Sequence, residues 1–120
     1  MSSLSSEQMR PYILSAKRRE QNRLEILQKR RQQALEIAKI AAEILKKEFG
    51  AEKIILFGSL LNDNFHENSD IDLAVFGLSE KQYFKAVARL ISLSEFEFDL
   101  VEFQYANPEI AKAISEGIIL

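Results

Sequence analysis

Five residues of this 120-residue chain have the types and spacing of a phosphate-handling site. Asp70 and Asp72 lie two apart at the start of a run, Asp70–Phe76, that reads as a strand. Side chains two apart on a strand leave the same face, with Cα atoms roughly 6.5 Å apart. Two hard oxygen donors on one face suit Mg²⁺, which takes one or two carboxylates and fills the rest of its shell with water and substrate phosphates. Gly58-Ser59 directly follows the apolar run Ile54-Ile55-Leu56-Phe57. Glycine permits a tight turn, and the amides after it, with the Ser59 hydroxyl, can grip a phosphate. Asp99 is a third carboxylate, flanked by Phe98 and Leu100, and a charge inside a strand is costly unless it is paired or metal-bound. Each feature alone has a plainer reading. An aspartate at a strand start can simply face water, Gly-Ser can be an ordinary turn, and Asp99 can lie on a solvated edge beside the equally acidic Glu97 and Glu102.

The elements that must position these residues follow from composition and periodicity. Between Tyr12 and Phe49 there is no Gly or Pro, and Glu, Gln, Lys, Arg, Leu and Ala dominate, so the stretch reads as one long helix that starts near Pro11 and is stopped by Gly50. Ser2–Ser6 reads as a flexible tail. Leu24, Leu27, Ala34, Leu35, Ala38, Ala41, Ala42 and Leu45 recur at helical spacing, widened by Ile37, Ile40 and Ile44. Ala34–Leu45 is apolar enough to pack on a sheet, whereas Lys17–Arg31 is basic and is expected to project or to meet a partner. Lys53–Phe57, Asp70–Phe76 and Phe96–Phe103 read as strands, with one helical turn at Leu60–Asn64 and a polar loop over Asn62–Ser69. Ser79 and Gln82 form a capping box for a helix running to about Leu93, with Phe84, Val87, Ala88 and Ile91 as its inner face. Asn107-Pro108 is an N-cap followed by proline for a last helix, Pro108–Glu116, and Ile118–Leu120 is a final strand or packing tail. The order predicts an α+β (mixed α/β) domain: a small sheet with helices on one face and a long N-terminal helix. Residues 1–49 read as a basic helical extension packing onto the core, and residues 50–120 as the core domain.

Composition narrows the chemistry further. The chain is 47% apolar and has no cysteine, which excludes disulfides, thiolate metal sites and a cysteine nucleophile. No run approaches the ~18 apolar residues that span a bilayer, and the polar start lacks a signal core, so a soluble cytoplasmic protein is expected. Residues 1–50 carry 11 Lys/Arg against 6 Asp/Glu (+5), and residues 51–120 carry 5 against 12 (−7), which together give the net −2. Acidic residues gathered around a phosphate site call for a metal cofactor, because phosphates would otherwise be repelled. His66 is the sole histidine and has no partner for a zinc site or a triad, so a loop-surface role is expected, with Phe65 packed beneath. The basic residues Lys17, Arg18, Arg19, Arg23, Lys29, Arg30 and Arg31 could meet RNA or an acidic protein, or could be a solvated face balanced by Glu20 and Glu25. The lack of stacking aromatics there argues against direct nucleic-acid binding.

Taken together, Gly58-Ser59, ten residues, Asp70-x-Asp72 and a later apolar-flanked Asp99 resemble the polymerase-beta-like nucleotidyltransferase superfamily, and specifically the minimal nucleotidyltransferase (MNT) antitoxins of HEPN/MNT toxin–antitoxin pairs. The resemblance covers about Lys53–Leu120. One departure stands out: many MNT proteins carry a basic residue soon after Gly-Ser, whereas here no Lys or Arg occurs between Ser59 and Asp70. The resemblance implies nucleotidyl transfer assisted by two Mg²⁺ ions, with ATP as substrate. Asp70 and Asp72 would hold the ion on the triphosphate. Asp70, Asp72 and Asp99 would hold the second, with Asp99 helping to activate the incoming hydroxyl. Gly58 and Ser59 would bind the β- and γ-phosphates. The implied partner is a HEPN-domain RNase toxin, silenced by AMP placed on a tyrosine. Two other readings remain: a non-catalytic antitoxin acting by contact, and a nucleotidyltransferase for a small molecule, which usually needs a further substrate-binding domain.

Overall fold

A long helix lies against one end of a four-stranded sheet and runs well past it. The computed structural model describes residues 6–62 and 65–120, with side chains from residue 15 onward. Helix α1 (Ser6–Phe49) is followed by strand β1 (Lys53–Phe57), a 3-10 turn (Ser59–Leu61), β2 (Ile71–Phe76), α2 (Glu80–Ile91) and β3 (Phe98–Glu102). A second 3-10 turn (Phe103–Tyr105), α3 (Pro108–Ser115) and β4 (Ile118–Ile119) complete the chain. α1 begins at Ser6, upstream of the start expected near Pro11, so the proline lies within the helix. Residues 2–5 of the expected tail, and Asp63 and Asn64 of the expected helical turn, lie outside the described residues. The 44 residues of α1 correspond to about 66 Å of helix, which accounts for most of the 71 Å long axis.

The sheet order is β3-β2-β1-β4. β1 pairs antiparallel with both β2 and β4, whereas β2 and β3 are parallel. The parallel pair decides the geometry of the molecule. A parallel neighbour requires a crossover, here α2, and the crossover returns the chain to the end of the sheet where β2 began. The beginnings of β2 and β3, which carry Asp72 and Asp99, are thereby set side by side.

Alternation along the strands divides the core in two. Ile54, Leu56, Ile71, Leu73, Val75 and Leu100 face α1 and α2, where Ala34, Ala38, Ala41, Ala42, Leu45, Ala86 and Leu90 are buried. The alanines of α1 bring its backbone close to the sheet, and Leu45, fully buried among them, contributes on the order of 1.5–3 kcal/mol. α1 and α2 thus cover one face as expected. α3 lies on the other, where Ile114 packs on Ile55, Phe57 and Ala74, with Ile110 and Ala113 alongside.

Three local expectations are corrected. The inner face of α2 consists of Tyr83, Ala86, Val87 and Leu90, while Phe84, Ala88 and Ile91 point to solvent; Phe84 is 79% exposed. Ser79 is the N-cap residue, but its side chain makes no capping hydrogen bond, and Gln82 N donates to Ser79 O instead. β3 spans Phe98–Glu102 rather than Phe96–Phe103, with Phe96 buried in the approach and Phe103 stacked on Phe76 at 4.4 Å. Asn107 caps α3 as expected, accepting from Ile110 N at 2.8 Å with Pro108 behind it.

Candidate active site

β1 ends at Phe57, which pairs with Asp72, so the Gly58 turn is held directly beside that carboxylate. Gly58 has φ 86° and ψ −155°, a region open essentially to glycine alone. A Cβ at this position would collide with Asp72 Oδ2. Glycine therefore permits both the turn and the close approach of the carboxylate. Leu60 is fully buried and anchors the 3-10 turn. The Leu61 and Asn62 amides are spent inside the turn, on Gly58 O at 3.1 Å and Ser59 O at 3.2 Å. The amides of Ser59 and Leu60 and the Ser59 hydroxyl are the groups of the turn suited to a phosphate.

Asp72 and Asp99 are register partners across the parallel β2–β3 pair, one strand spacing (~4.8 Å) apart on the face that α3 packs against farther along the sheet. Asp70 lies just before β2, which starts at Ile71 rather than at Asp70; it is exposed, as is Asp99, and its charge acts on Asp72. Asp72 is half-buried, and its carboxyl is pushed up to about 6, first by burial and then by the negative charges of Asp99 and Asp70. Burial disfavours the charged form, and like charges nearby add to the cost. All five residues named from the sequence are therefore gathered around the beginning of β2.

Among the described residues, no three carboxylate or imidazole side chains are assembled into a cation cage. The donor chemistry nevertheless fits Mg²⁺. The donors are all carboxylate oxygens, and the burial and, after it, the like charges that lift Asp72 both disfavour an ionised carboxylate that a divalent cation would stabilise. Asp72, Asp99 and Asp70 are the residues that would hold it.

Other residues reach the site that sequence spacing did not single out. Asp70 lines a cavity of about 270 Å³ with Arg30, Glu67, Asn68, Ser69, Glu95 and Glu97. Arg30 and Arg31, read from sequence as part of a basic face, turn toward the chain: Arg30 Nε donates to Glu67 O at 2.9 Å and Arg31 Nε to Leu60 O at 3.0 Å. Tyr83 donates to Leu100 O at 2.7 Å on the edge strand, and its phenol is raised by burial and by the nearby Glu102 and Asp99. Only tertiary packing gives these side chains a direction; the run of basic residues was the one sequence signal for Arg30 and Arg31. His66 is exposed and its Nδ1 accepts from Asn68 N within the loop, while Phe65 is buried beneath it, both as expected.

The sequence profile of the family "Polymerase beta, Nucleotidyltransferase" matches residues 39–120. The chain belongs to this nucleotidyltransferase family. The match starts at Lys39, inside α1, and so takes in the end of that helix as well as the sheet. A search of curated proteins found no match. Among solved structures, the nucleotidyltransferase fold recurs in a mutant toxin–antitoxin complex MntA–HpeT (TM-score 0.58, 23% identity, 68% of this chain and 70% of that one). It recurs in a toxin–antitoxin structure with AMP-PNP (TM-score 0.55, 27% identity, 64% and 66%). It is found again in an MNT antitoxin complexed with the tri-AMPylated HEPN toxin of Shewanella oneidensis (TM-score 0.55, 21% identity, 72% and 70%). Among the described residues no helix is long and apolar enough to cross a membrane.

Proposed function

We propose that this nucleotidyltransferase is an antitoxin that moves AMP from ATP to a tyrosine of a partner HEPN RNase toxin and so silences it. The observation that carries the reading is the pairing of Asp72 with Asp99 across two parallel strands, with Asp70 and the Gly58-Ser59 turn beside them. Family membership supports nucleotidyl transfer. The AMP-PNP and AMPylated-toxin structures with the same fold support ATP as donor and a HEPN protein as acceptor.

The chain's own residues divide the work. The Ser59 hydroxyl and the first amides of the turn hold the outer phosphates and point the α-phosphorus toward the carboxylates. Asp99, exposed at the start of β3, takes the proton of the incoming tyrosine hydroxyl. The tyrosine oxygen bonds to the α-phosphorus, the bond from that phosphorus to the α–β bridging oxygen breaks, and pyrophosphate leaves. Asp70, Asp72 and Asp99 are the residues that would hold Mg²⁺, which would supply charge stabilisation to the transfer.

The test is to incubate the protein, ATP and Mg²⁺ with a candidate HEPN partner, first the product of the adjacent gene, then map adducts by peptide mass spectrometry and assay the partner's RNase activity. AMP on a toxin tyrosine, together with RNase loss, is expected. Asp70→Ala with Asp72→Ala should lower the rate of modification at least about 100-fold. If that double variant restrained the RNase as well as the wild type does, without adduct, inhibition by contact would replace this reading.

A further inference from the structure

Two consecutive arginines of α1 reach the turn after Gly58-Ser59, the loop before Asp70 and side chains on the approach to Asp99. Arg31 Nε donates to Leu60 O at 3.0 Å, in the turn that follows Gly58-Ser59. Arg30 Nε donates to Glu67 O at 2.9 Å, three residues before Asp70. The same Arg30 guanidinium lies over the Phe96 ring, 4.5 Å from its centroid, with Nη1 3.8 Å from Glu95 Oε1. Phe96 leads into β3 three residues before Asp99. Arg30 and Asp70 also line the same 270 Å³ cavity.

We propose that Arg30 and Arg31 are positioning residues for nucleotidyl transfer, clamping the phosphate turn, the Asp70 loop and the approach to Asp99 onto one rigid helix. The inference rests on the transfer reading above. A guanidinium is suited to the role because it is flat and directional: one edge donates to a carbonyl while the face stacks on an aromatic ring. Lysine can supply the charge but not both contacts at once. The clamp also bears on the absence of Lys and Arg between Ser59 and Asp70. Positive charge comes to this loop from α1, and it is directed at backbone carbonyls.

The two arginines hold different parts, so their loss should be read in different parameters. Without Arg31 the Ser59–Leu61 turn loosens and triphosphate binding suffers. Without Arg30 the Asp70 loop and the β3 approach drift, and the chemical step suffers. Displacements of about 1 Å at a reacting centre can cost on the order of 100-fold. Arg30→Met, Arg31→Met, Arg30→Lys and Arg31→Lys would be compared by steady-state kinetics with ATP and the partner toxin, and by native-state amide hydrogen exchange of the protein alone. Arg31→Met should raise KM for ATP about 10-fold with kcat within about 3-fold. Arg30→Met should lower kcat by about 10-fold or more with KM little changed. Exchange should quicken at residues 58–62 for Arg31 and at 66–70 and 95–99 for Arg30, and lysine should not restore Arg30. Wild-type kinetics and exchange in both methionine variants would overturn the proposal, as would an equal loss in both parameters with exchange quickened uniformly through the core. If the wild type transferred nothing, the transfer reading would fail, while the local exchange pattern would still decide for or against the clamp.

Discussion

At the scale of single residues, Asp72 is where folding and function are opposed. Its carboxyl titrates near 6 in the folded protein because burial and the charges of Asp99 and Asp70 resist ionisation, against 3.8 ordinarily. The folded-state value lies above the unfolded one, so between these pH values the folded chain binds the extra proton, and stability falls as pH rises through that window. Thermal melts from pH 4.5 to 8 should show this fall in the wild type and a flatter profile in Asp72→Asn, with the variant melting higher above pH 6. Millimolar Mg²⁺ at pH 8 should raise the melting temperature of the wild type and leave Asp72→Asn unchanged. Gly58→Ala should cost about 1–3 kcal/mol, from a backbone region closed to alanine, and should displace the Asp72 side chain it meets. Gly58, Ser59, Asp70 and Asp72 stood out in the sequence because strand alternation and turn chemistry act within a few residues, whereas Asp99 entered only through the family resemblance. Arg30 and Arg31 did not stand out, because nothing local tells a helix which of its basic side chains will meet another segment's carbonyls.

At the scale of elements, α2 shows how far periodicity reaches. Two apolar stripes lie on it about one residue apart: Phe84, Ala88 and Ile91, and Tyr83, Ala86, Val87 and Leu90. Hydrophobicity alone favours the stripe with the larger residues. The sheet instead receives the stripe whose small Ala86 allows close packing and whose Tyr83 hydroxyl can reach Leu100 O. Leu90→Ala should therefore cost about 2–5 kcal/mol, whereas Phe84→Ser should stay within about 0.5 kcal/mol, both read from urea midpoints. Asn107→Ala should cost about 1 kcal/mol through loss of the hydrogen bond from Ile110 N. The boundaries of β1, β2 and α3 were readable from apolar runs, Gly and the Asn-Pro cap. The side on which α3 packs was not, because Ile110, Ala113 and Ile114 describe an apolar face without naming its partner.

At the scale of the whole molecule, one topological choice makes the site. Asp72 and Asp99 are 27 positions apart in sequence, and only a parallel β2–β3 pair with α2 as crossover sets them side by side. The sequence supplied the order of elements but not the strand order, since pairing is a long-range property. Charge is divided along the same lines: a helix rich in basic residues, and an acidic body with Asp72 and Asp99 paired across β2 and β3. If the proposed transfer is right, the chemistry occurs at the α-phosphorus of ATP and nowhere else on the nucleotide. The most direct test is to supply the protein, Mg²⁺ and the partner toxin with ATP labelled at the α- or the γ-phosphate and to follow the label into protein. Label from the α-phosphate should appear on the toxin, and label from the γ-phosphate should leave as pyrophosphate. Transfer of γ-label to the toxin, or retention of both labels in intact ATP while the toxin is nevertheless silenced, would contradict the account.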